Sequence, residues 1–345
     1  MTELVQLSSS VAALAPVEGP LVDTFGRTHD NLRISLTDRC NIRCFYCMAE
    51  DAHDFAPAAS QLTSEEIVRF VSVAQSLGIR KVRLTGGEPL LRRDLPQLIA
   101  ALCTLGLEEL ALTTNGVLLA SQAKALYDAG LRRLNVHLDS LDRERFHQIT
   151  RRDELGRVLG GIEQAIATGY RSIKLNAVAI KDLTEEDIVP LARFARERNL
   201  EIRYIEFMPL DAQELWSRSR VLTADDMISI LEAEFGPLIP VPDADPRAPA
   251  TEYKYADGGG RVGFIASVSR PFCLNCNRLR LTSDGKLRYC LFAQEEFDVA
   301  RFLRSGSNDE LIPAIRSTVW RKWRGHQINS PLFTAPARPM YSIGG

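Results

Sequence analysis

The sequence predicts an α/β protein built as a partly open βα barrel, and three observations predict it. Short strand patterns alternate with longer amphipathic helical patterns over the first two thirds of the chain. Each strand carries apolar residues on one face and polar or basic residues on the other. The helical crossovers between strands require parallel pairing.

The strands are expected at "LRISLT" (32–37), "KVRLT" (81–85), "ELALTT" (109–114), "RLNVHLDS" (133–140), "SIKLNAVAI" (172–180) and "EIRYIEF" (201–207). Helices are expected at "TSEEIVRFVSVAQSLG", "DLPQLIAALCTLG", "SQAKALYDAG", "LGRVLGGIEQAIATG" and "TEEDIVPLARFARERN". The first opens on Thr63 with Glu66 three residues on, a capping box. Several end at a glycine, which suits a helix C-terminus. Cys103, in the apolar "LPQLIAALCTLG", reads as a small buried hydrophobe.

A buried parallel strand is ordinarily apolar on both faces. Here Arg33, Ser35 and Thr37 oppose Leu32, Ile34 and Leu36, and Lys81, Arg83 and Thr85 oppose Val82 and Leu84. Asn135, His137 and Asp139 share a face, as do Lys174 and Asn176. A packed barrel core excludes so many cations. The pattern predicts a wet cavity for a large anionic ligand; the alternative is an antiparallel sheet with one solvated face.

The 345 residues are 45% hydrophobic and 25% charged, with a net charge of -2. That balance gives no bulk basic field for DNA or RNA, and no apolar run suits a membrane span. The first 24 residues lack Lys and Arg, so they fit neither a secretion signal nor a mitochondrial presequence. A cytoplasmic location follows as an expectation. The expected organisation is a tail (1–26), a barrel (27–215) and a C-terminal region (216–345).

Six of seven cysteines fall into two triplets: Cys40, Cys44 and Cys47 in "DRCNIRCFYCMAED", then Cys273, Cys276 and Cys290 in "FCLNCNRLRLTSDGKLRYCLF". Closed zinc sites take four ligands, and each triplet lacks a fourth cysteine; His53 is the nearby candidate. A [4Fe–4S] cluster held by three thiolates leaves one iron open to a cofactor or substrate.

The C-x3-C-x2-C spacing with Tyr46 before the last cysteine resembles the signature of radical S-adenosylmethionine (SAM) enzymes, and "LTGGEPLLR" (84–92) looks like their segment at the methionine end of SAM. "LRISLTDRCNIRCFYCM", "VRLTGGEPLLRRDL", "LTTNG", "LDSLD", "YIEFMPL", "CNRLRLTSDGKLRYCLF" and the terminal "MYSIGG" together resemble the MoaA family, the GTP 3′,8-cyclases of molybdenum cofactor biosynthesis. That resemblance covers nearly the whole chain from Leu32 onward.

The resemblance implies a partial (β/α)6 TIM-like barrel whose C-terminal α+β region closes the barrel mouth and carries a second Fe–S cluster. It implies two [4Fe–4S] clusters on the six cysteines, SAM as cofactor and GTP as substrate. A 5′-deoxyadenosyl radical takes the ribose C3′ hydrogen and a C3′–C8 bond forms. Nucleotide contacts are then expected at Arg33, Lys81, Arg83, Thr113, Lys174, Arg203, Arg278, Leu279 and Arg280. SAM contacts are expected at Tyr46, Gly87, Glu88, His137 and Met208. Catalytic roles fall on Arg278, Arg280 and the tail residues Gly344 and Gly345. His137 stands where the family commonly has Ser. Arg203 and Met208, five apart, share the cavity only if the strand ends near Phe207. A reducing electron donor, a downstream cyclic pyranopterin monophosphate synthase and a homodimer are further expectations. A peptide-modifying radical SAM enzyme, and a non-catalytic Fe–S or zinc protein, are the competing readings. No chemistry is assigned to 241–260.

Overall fold

The computed structural model describes residues 15–53, 55–210, 213–242 and 244–344. Its strands are β1 (Asn31–Ser35), β2 (Lys81–Thr85), β3 (Glu109–Thr114), β4 (Arg133–His137), β5 (Ser172–Ala179), β6 (Glu201–Glu206), β7 (Leu238–Pro240), β8 (Thr251–Tyr255), β9 (Arg261–Ile265), β10 (Arg278–Leu281), β11 (Lys286–Arg288) and β12 (Phe297–Asp298). The helices are α1 (Ser64–Ser76), α2 (Leu95–Cys103), α3 (Leu119–Asp128), α4 (Arg143–Thr150), α5 (Leu155–Thr168), α6 (Ile188–Glu197), α7 (Ala224–Phe235), α8 (Ala300–Ser305), α9 (Asn308–Trp320) and α10 (Met340–Ile343).

The described strands form one sheet in the order β12-β11-β10-β1-β2-β3-β4-β5-β6-β9-β8-β7. From β1 to β6, neighbours in sequence pair in parallel, as the repeated βα units require. The C-terminal region adds a parallel strand at each end: β10 on β1 and β9 on β6. The sheet stays open, with β7 and β12 as its edges, yet it curls enough that β1 to β6, β9 and β10 all line one cavity. This is the expected partial barrel.

Hydrophobicity drives the curl. Leu32, Ile34, Val82, Leu84, Leu112, Leu134, Val136, Leu175 and Ile202 face the helices and are buried. They meet Ile67 and Phe70 of α1, Leu98 and Ile99 of α2, Leu126 of α3 and Ile162 of α5 in one core. Full burial of one such side chain contributes about 1.5–3 kcal/mol.

Local signals place the elements. Thr63 accepts from the Glu66 amide and Glu66 accepts from the Thr63 amide, so the capping box forms. Gly169 ends α5 with φ +88°, a conformation a side chain disfavours. The strands β1, β4, β5 and β6 stop sooner than expected, at Ser35, His137, Ala179 and Glu206. The residues beyond them belong to the loops that shape the cavity. Helix α4 was not expected; its buried face is only Phe146, Ile149 and Thr150, and its start is fixed by Asp142 accepting from the Arg145 amide at 2.8 Å.

Two expectations need correction. Cys103 is exposed rather than buried. The inward face of α2 is Leu95, Leu98, Ile99 and Leu102, and Cys103 falls one position past it at the helix end. Part of the stretch expected as tail is also built in. The Leu21 side chain is buried and its amide donates to the Leu77 carbonyl at 3.2 Å. Buried Asp23 accepts from Arg27 Nε at 2.6 Å and pairs with His29 Nε2 at 3.0 Å. Burial raises the Asp23 pKa, but the bonds from His29 and Arg27 bring it down to about 2.

Adjacent glycines in α5 separate helix propensity from packing. A Cβ on Gly161 would sit 2.6 Å from the Gly116 carbonyl oxygen, whereas one on Gly160 meets nothing within 4 Å. Gly160→Ala is expected to stabilise by about 0.5–1 kcal/mol. Gly161→Ala is expected to destabilise by about 1–3 kcal/mol. Chemical denaturation of both variants checks the opposite signs.

Candidate active site

All six cysteines of the two triplets line one cavity of about 280 Å³. The first triplet lies in the loop after β1. That loop is tied down by Arg43 N donating to Thr150 O at 2.8 Å and Phe45 N to Ile149 O at 3.0 Å. The Arg43 guanidinium donates to the carbonyls of Cys40 (2.6 Å) and Ile42 (2.9 Å). The loop after β2 runs against it: Gly87 N donates to Thr37 O at 2.7 Å and Glu88 N to Arg39 O at 2.8 Å. A Cβ on Gly87 would lie 2.3 Å from the Arg39 carbonyl oxygen, so glycine is needed for this contact itself.

The second triplet brackets the β10–β11 hairpin. Cys273 and Cys276 precede β10 and Cys290 follows β11. Buried Lys322 donates to the carbonyls of Arg278 (2.8 Å) and Tyr289 (2.5 Å) beside these thiols. Arg278 Nη2 lies 3.3 Å from Cys276 Sγ.

The two triplets differ electrostatically. Burial and the Glu88 charge push Cys40 up to about 12, and burial with the neighbouring thiols raises Cys47. Burial also raises Cys276, but Lys322 and Arg278 outweigh it and bring the thiol down to about 5. At each triplet three thiols and, among the described residues, no fourth face the shared cavity, a donor set that fits an iron–sulfur cluster with one iron left open. Bound there, iron would hold the thiols as thiolates against the burial that raises Cys40 and Cys47.

The cavity floor is cationic. Register places Arg83, Arg33 and Arg280 side by side across β2, β1 and β10. Burial and the neighbouring guanidiniums depress all three: Arg33 well below its ordinary value, Arg83 and Arg280 to about 10. Arg33 Nε is buried with no partner. A second cavity of about 210 Å³ shares Arg33, Arg83, Arg203 and Arg278 with the first and adds Lys81 and Lys174. Thr113 and Arg280 line the first.

Of the residues expected at the cofactor, Tyr46, Gly87, His137 and Met208 line the cavity. Arg203 does too, because β6 ends at Glu206 and the chain turns before Met208. Tyr46 Oη donates to Asp139 Oδ2 at 2.5 Å, and His137 Nε2 lies 2.8 Å from the same oxygen. Burial lowers the His137 pKa, but Asp139 more than compensates and raises it to about 10.

Two expected residues do not face the cavity. Glu88 is fully buried and accepts from Leu90 N (2.9 Å), Thr114 Oγ1 (2.7 Å) and Asn115 N (2.7 Å). It ties the β2 loop to the end of β3. Leu279 alternates with Arg278 and Arg280, so its side chain enters the core. Gly344 lies within the site, while Gly345 is outside the described residues.

Other residues were not foreseen. Carboxylates hold several of the cations: Glu201 pairs with Lys174 (2.8 Å) and Arg203 (2.5 Å), Glu252 with Arg203 (2.7 Å), and Glu109 with Arg133 (3.3 Å). Asp245 and Arg247, from the unassigned 241–260 stretch, wall the second cavity, and Asp245 pairs with Lys81 at 3.5 Å. Lys322 and His326 line the first cavity. Their stretch, "KWRGH", reads in sequence as an ordinary charged helix end.

Burial dominates at Glu88 and raises its pKa to about 7 despite three donors. An unfolded carboxyl releases its proton first as pH rises from about 4.5 to about 7, so stability falls across that window by about 3 kcal/mol. Glu88→Gln is expected to remove this slope and to leave one donor facing the new amide. Urea titrations of both proteins between pH 5.5 and 7.5 check it; equal slopes would refute it.

The comparisons agree with this geometry. Residues 34–195 match the model of the Radical SAM superfamily and residues 200–328 that of Molybdenum Cofactor Synthesis C. The chain is 48% identical over 350 residues to a protein of Rhodopirellula baltica named GTP 3′,8-cyclase, covering 99% of this chain and 98% of that one. It is 48% identical over 340 residues to GTP 3′,8-cyclase 2 of Mycobacterium tuberculosis, covering 96% and 94%. Among solved structures, SAM-bound SuiB of Streptococcus suis superposes with a TM-score of 0.62 at 16% identity, over 93% of this chain and 76% of that one. At that identity the likeness concerns the fold alone. Near-complete coverage at 48% identity, with both halves matched by their own models, carries the assignment: the chain belongs to the GTP 3′,8-cyclase family within the radical SAM superfamily.

Proposed function

We propose that this enzyme converts GTP to 3′,8-cyclo-7,8-dihydro-GTP, the first committed step toward the molybdenum cofactor. The observation that carries this reading is the arginine row Arg83–Arg33–Arg280, flanked by Arg278 and set between two cysteine triplets. Buried guanidiniums so crowded need an anion. A triphosphate supplies close to four negative charges, and arginine matches its oxygens in bidentate fashion.

When bound, SAM and the reduced cluster on Cys40, Cys44 and Cys47 supply the 5′-deoxyadenosyl group that takes the ribose C3′ hydrogen. The chain's residues do the positioning. Tyr46, His137, Gly87 and Met208 form the wall on the first-triplet side. Lys81, Lys174 and Arg203 neutralise the far end of the phosphate chain. Arg278 reaches both the Cys276 sulfur and the second cavity, so it can hold the nucleotide close to the second triplet. The reaction balances as the loss of one hydrogen atom and the gain of one electron and one proton. The product is therefore isomeric with GTP, and a reducing donor is consumed. The product then passes to an enzyme that forms the pyranopterin ring. The fold likeness to SuiB bound to its precursor peptide, at 15% identity, gives no such reason to expect a peptide.

The decisive test is an anaerobic assay of reconstituted enzyme with SAM and dithionite, with or without GTP. GTP-dependent 5′-deoxyadenosine with a nucleotide isomer of GTP is expected. SAM cleavage indifferent to GTP would sink the substrate. Arg33→Ala is expected to weaken GTP binding on the order of 100-fold, with SAM binding unchanged, as read by equilibrium binding of each ligand.

A further inference from the structure

The end of the chain is gripped at two points by a single hairpin. At its far end the Gly344 carbonyl accepts from Arg280 Nη1, on β10. Gly344 has φ +86°, and a Cβ there would lie 3.0 Å from both Ser35 Cβ and Thr85 Cγ2. At its near end Arg338 forks onto Asp284, Nη1 to Oδ1 at 3.0 Å and Nη2 to Oδ2 at 2.6 Å. Arg338 Nε also lies 2.9 Å from Glu296 Oε1.

Asp284 sits in the turn between β10 and β11, where Thr282 Oγ1 donates to its Oδ1 at 2.5 Å and fixes its rotamer. Glu296 is held in turn by Arg288 of β11, the strand partner of Arg280. Between the two grips, α10 buries Ile343 and sets Tyr341 edge-on to Phe55, in the loop beyond the first triplet. The two grips therefore share one rigid element, which also carries Arg278.

We propose that Arg338 is a positioning residue: its fork onto Asp284 and Glu296 latches the tail so that Gly344 is held against Arg280 at the cavity. The idea rests on the reading under Proposed function for its catalytic consequence, but not for the latch itself. A bidentate, partly buried guanidinium–carboxylate pair is stronger than an exposed one. Its loss removes the ionic anchor and leaves the segment to the buried Ile343, the packing of Met340, the Tyr341–Phe55 ring contact and the Gly344 carbonyl.

The test uses the reconstituted full-length holoenzyme. Hydrogen exchange across residues 339–345 is measured for wild type, Arg338→Ala, Arg338→Lys, Asp284→Ala and the double alanine variant. The same proteins are assayed for nucleotide isomer formed per 5′-deoxyadenosine released. Arg338→Ala is expected to speed tail exchange about tenfold, with exchange elsewhere unchanged, and to lower the product ratio severalfold while SAM binding persists. Arg338→Lys restores charge without the fork and should fall between. The double variant should be no worse than either single one. Unchanged tail exchange in Arg338→Ala overturns the latch. Faster exchange with an unchanged ratio overturns the positioning role. Should Arg338→Ala lose its clusters, Arg338→Gln, which keeps part of the side-chain volume and an amide donor but is too short and uncharged to make the fork, is read by the same two criteria. If wild type forms no isomer of GTP, the proposed function fails while the exchange arm still decides the latch.

Discussion

Like charge confined in a chamber is the constraint on which this structure turns. Parallel register sets Arg83, Arg33 and Arg280 on adjacent strands, where like charges side by side are destabilising. The register cannot slip to escape it. A shift of one residue would turn Leu32, Ile34, Val82 and Leu84 into the cavity and the arginines into the helix layer. The apolar face therefore enforces the cationic one. Relief comes from elsewhere: from Glu109, 3.8 Å from Arg83 at one end of the row, and from the Gly344 carbonyl on Arg280 at the other. Arg33, at the centre of the row, keeps an unpartnered Nε.

This explains what was legible in the sequence. Alternation of side chains along a strand is a local rule, so Arg33, Arg83 and Lys174 could each be assigned to the polar face of its strand before any fold was known, whereas Arg203 was expected from the family resemblance. The spacing of the cysteines is local as well, and all six meet in one cavity. Glu88 was misread because its neighbours "GGEP" speak for a loop at a ligand, whereas its partners Thr114 and Asn115 come from the next strand. The Leu279 side chain turns into the core by the alternation that places Arg278 and Arg280 at the cavity, so only its backbone is left for a nucleotide contact. The carboxylates at 109 and 252, the loop at Asp245 and the buried Lys322 were invisible because each acts through a contact with a residue distant in sequence, which no local periodicity encodes. Glu201 was missed although its pairing with Arg203, two residues on along one strand face, is local.

The two ends of the cavity are sorted by charge. Around the first triplet stand Tyr46, the Asp139–His137 pair and the buried Glu88, and burial above all pushes Cys40 and Cys47 up. Around the second stand Lys322 and Arg278, and Cys276 is pulled down. SAM carries a sulfonium cation, and a nucleoside triphosphate is strongly anionic. On the proposed reading each molecule would meet a complementary field at one end and an opposing one at the other. Low local dielectric strengthens both effects. The β10–β11 hairpin is where these demands meet, since it supplies Arg278 and Arg280, ends at Cys290 and grips the tail through Asp284. A change in its turn would be felt at the second triplet, at the arginine row and at the chain terminus together.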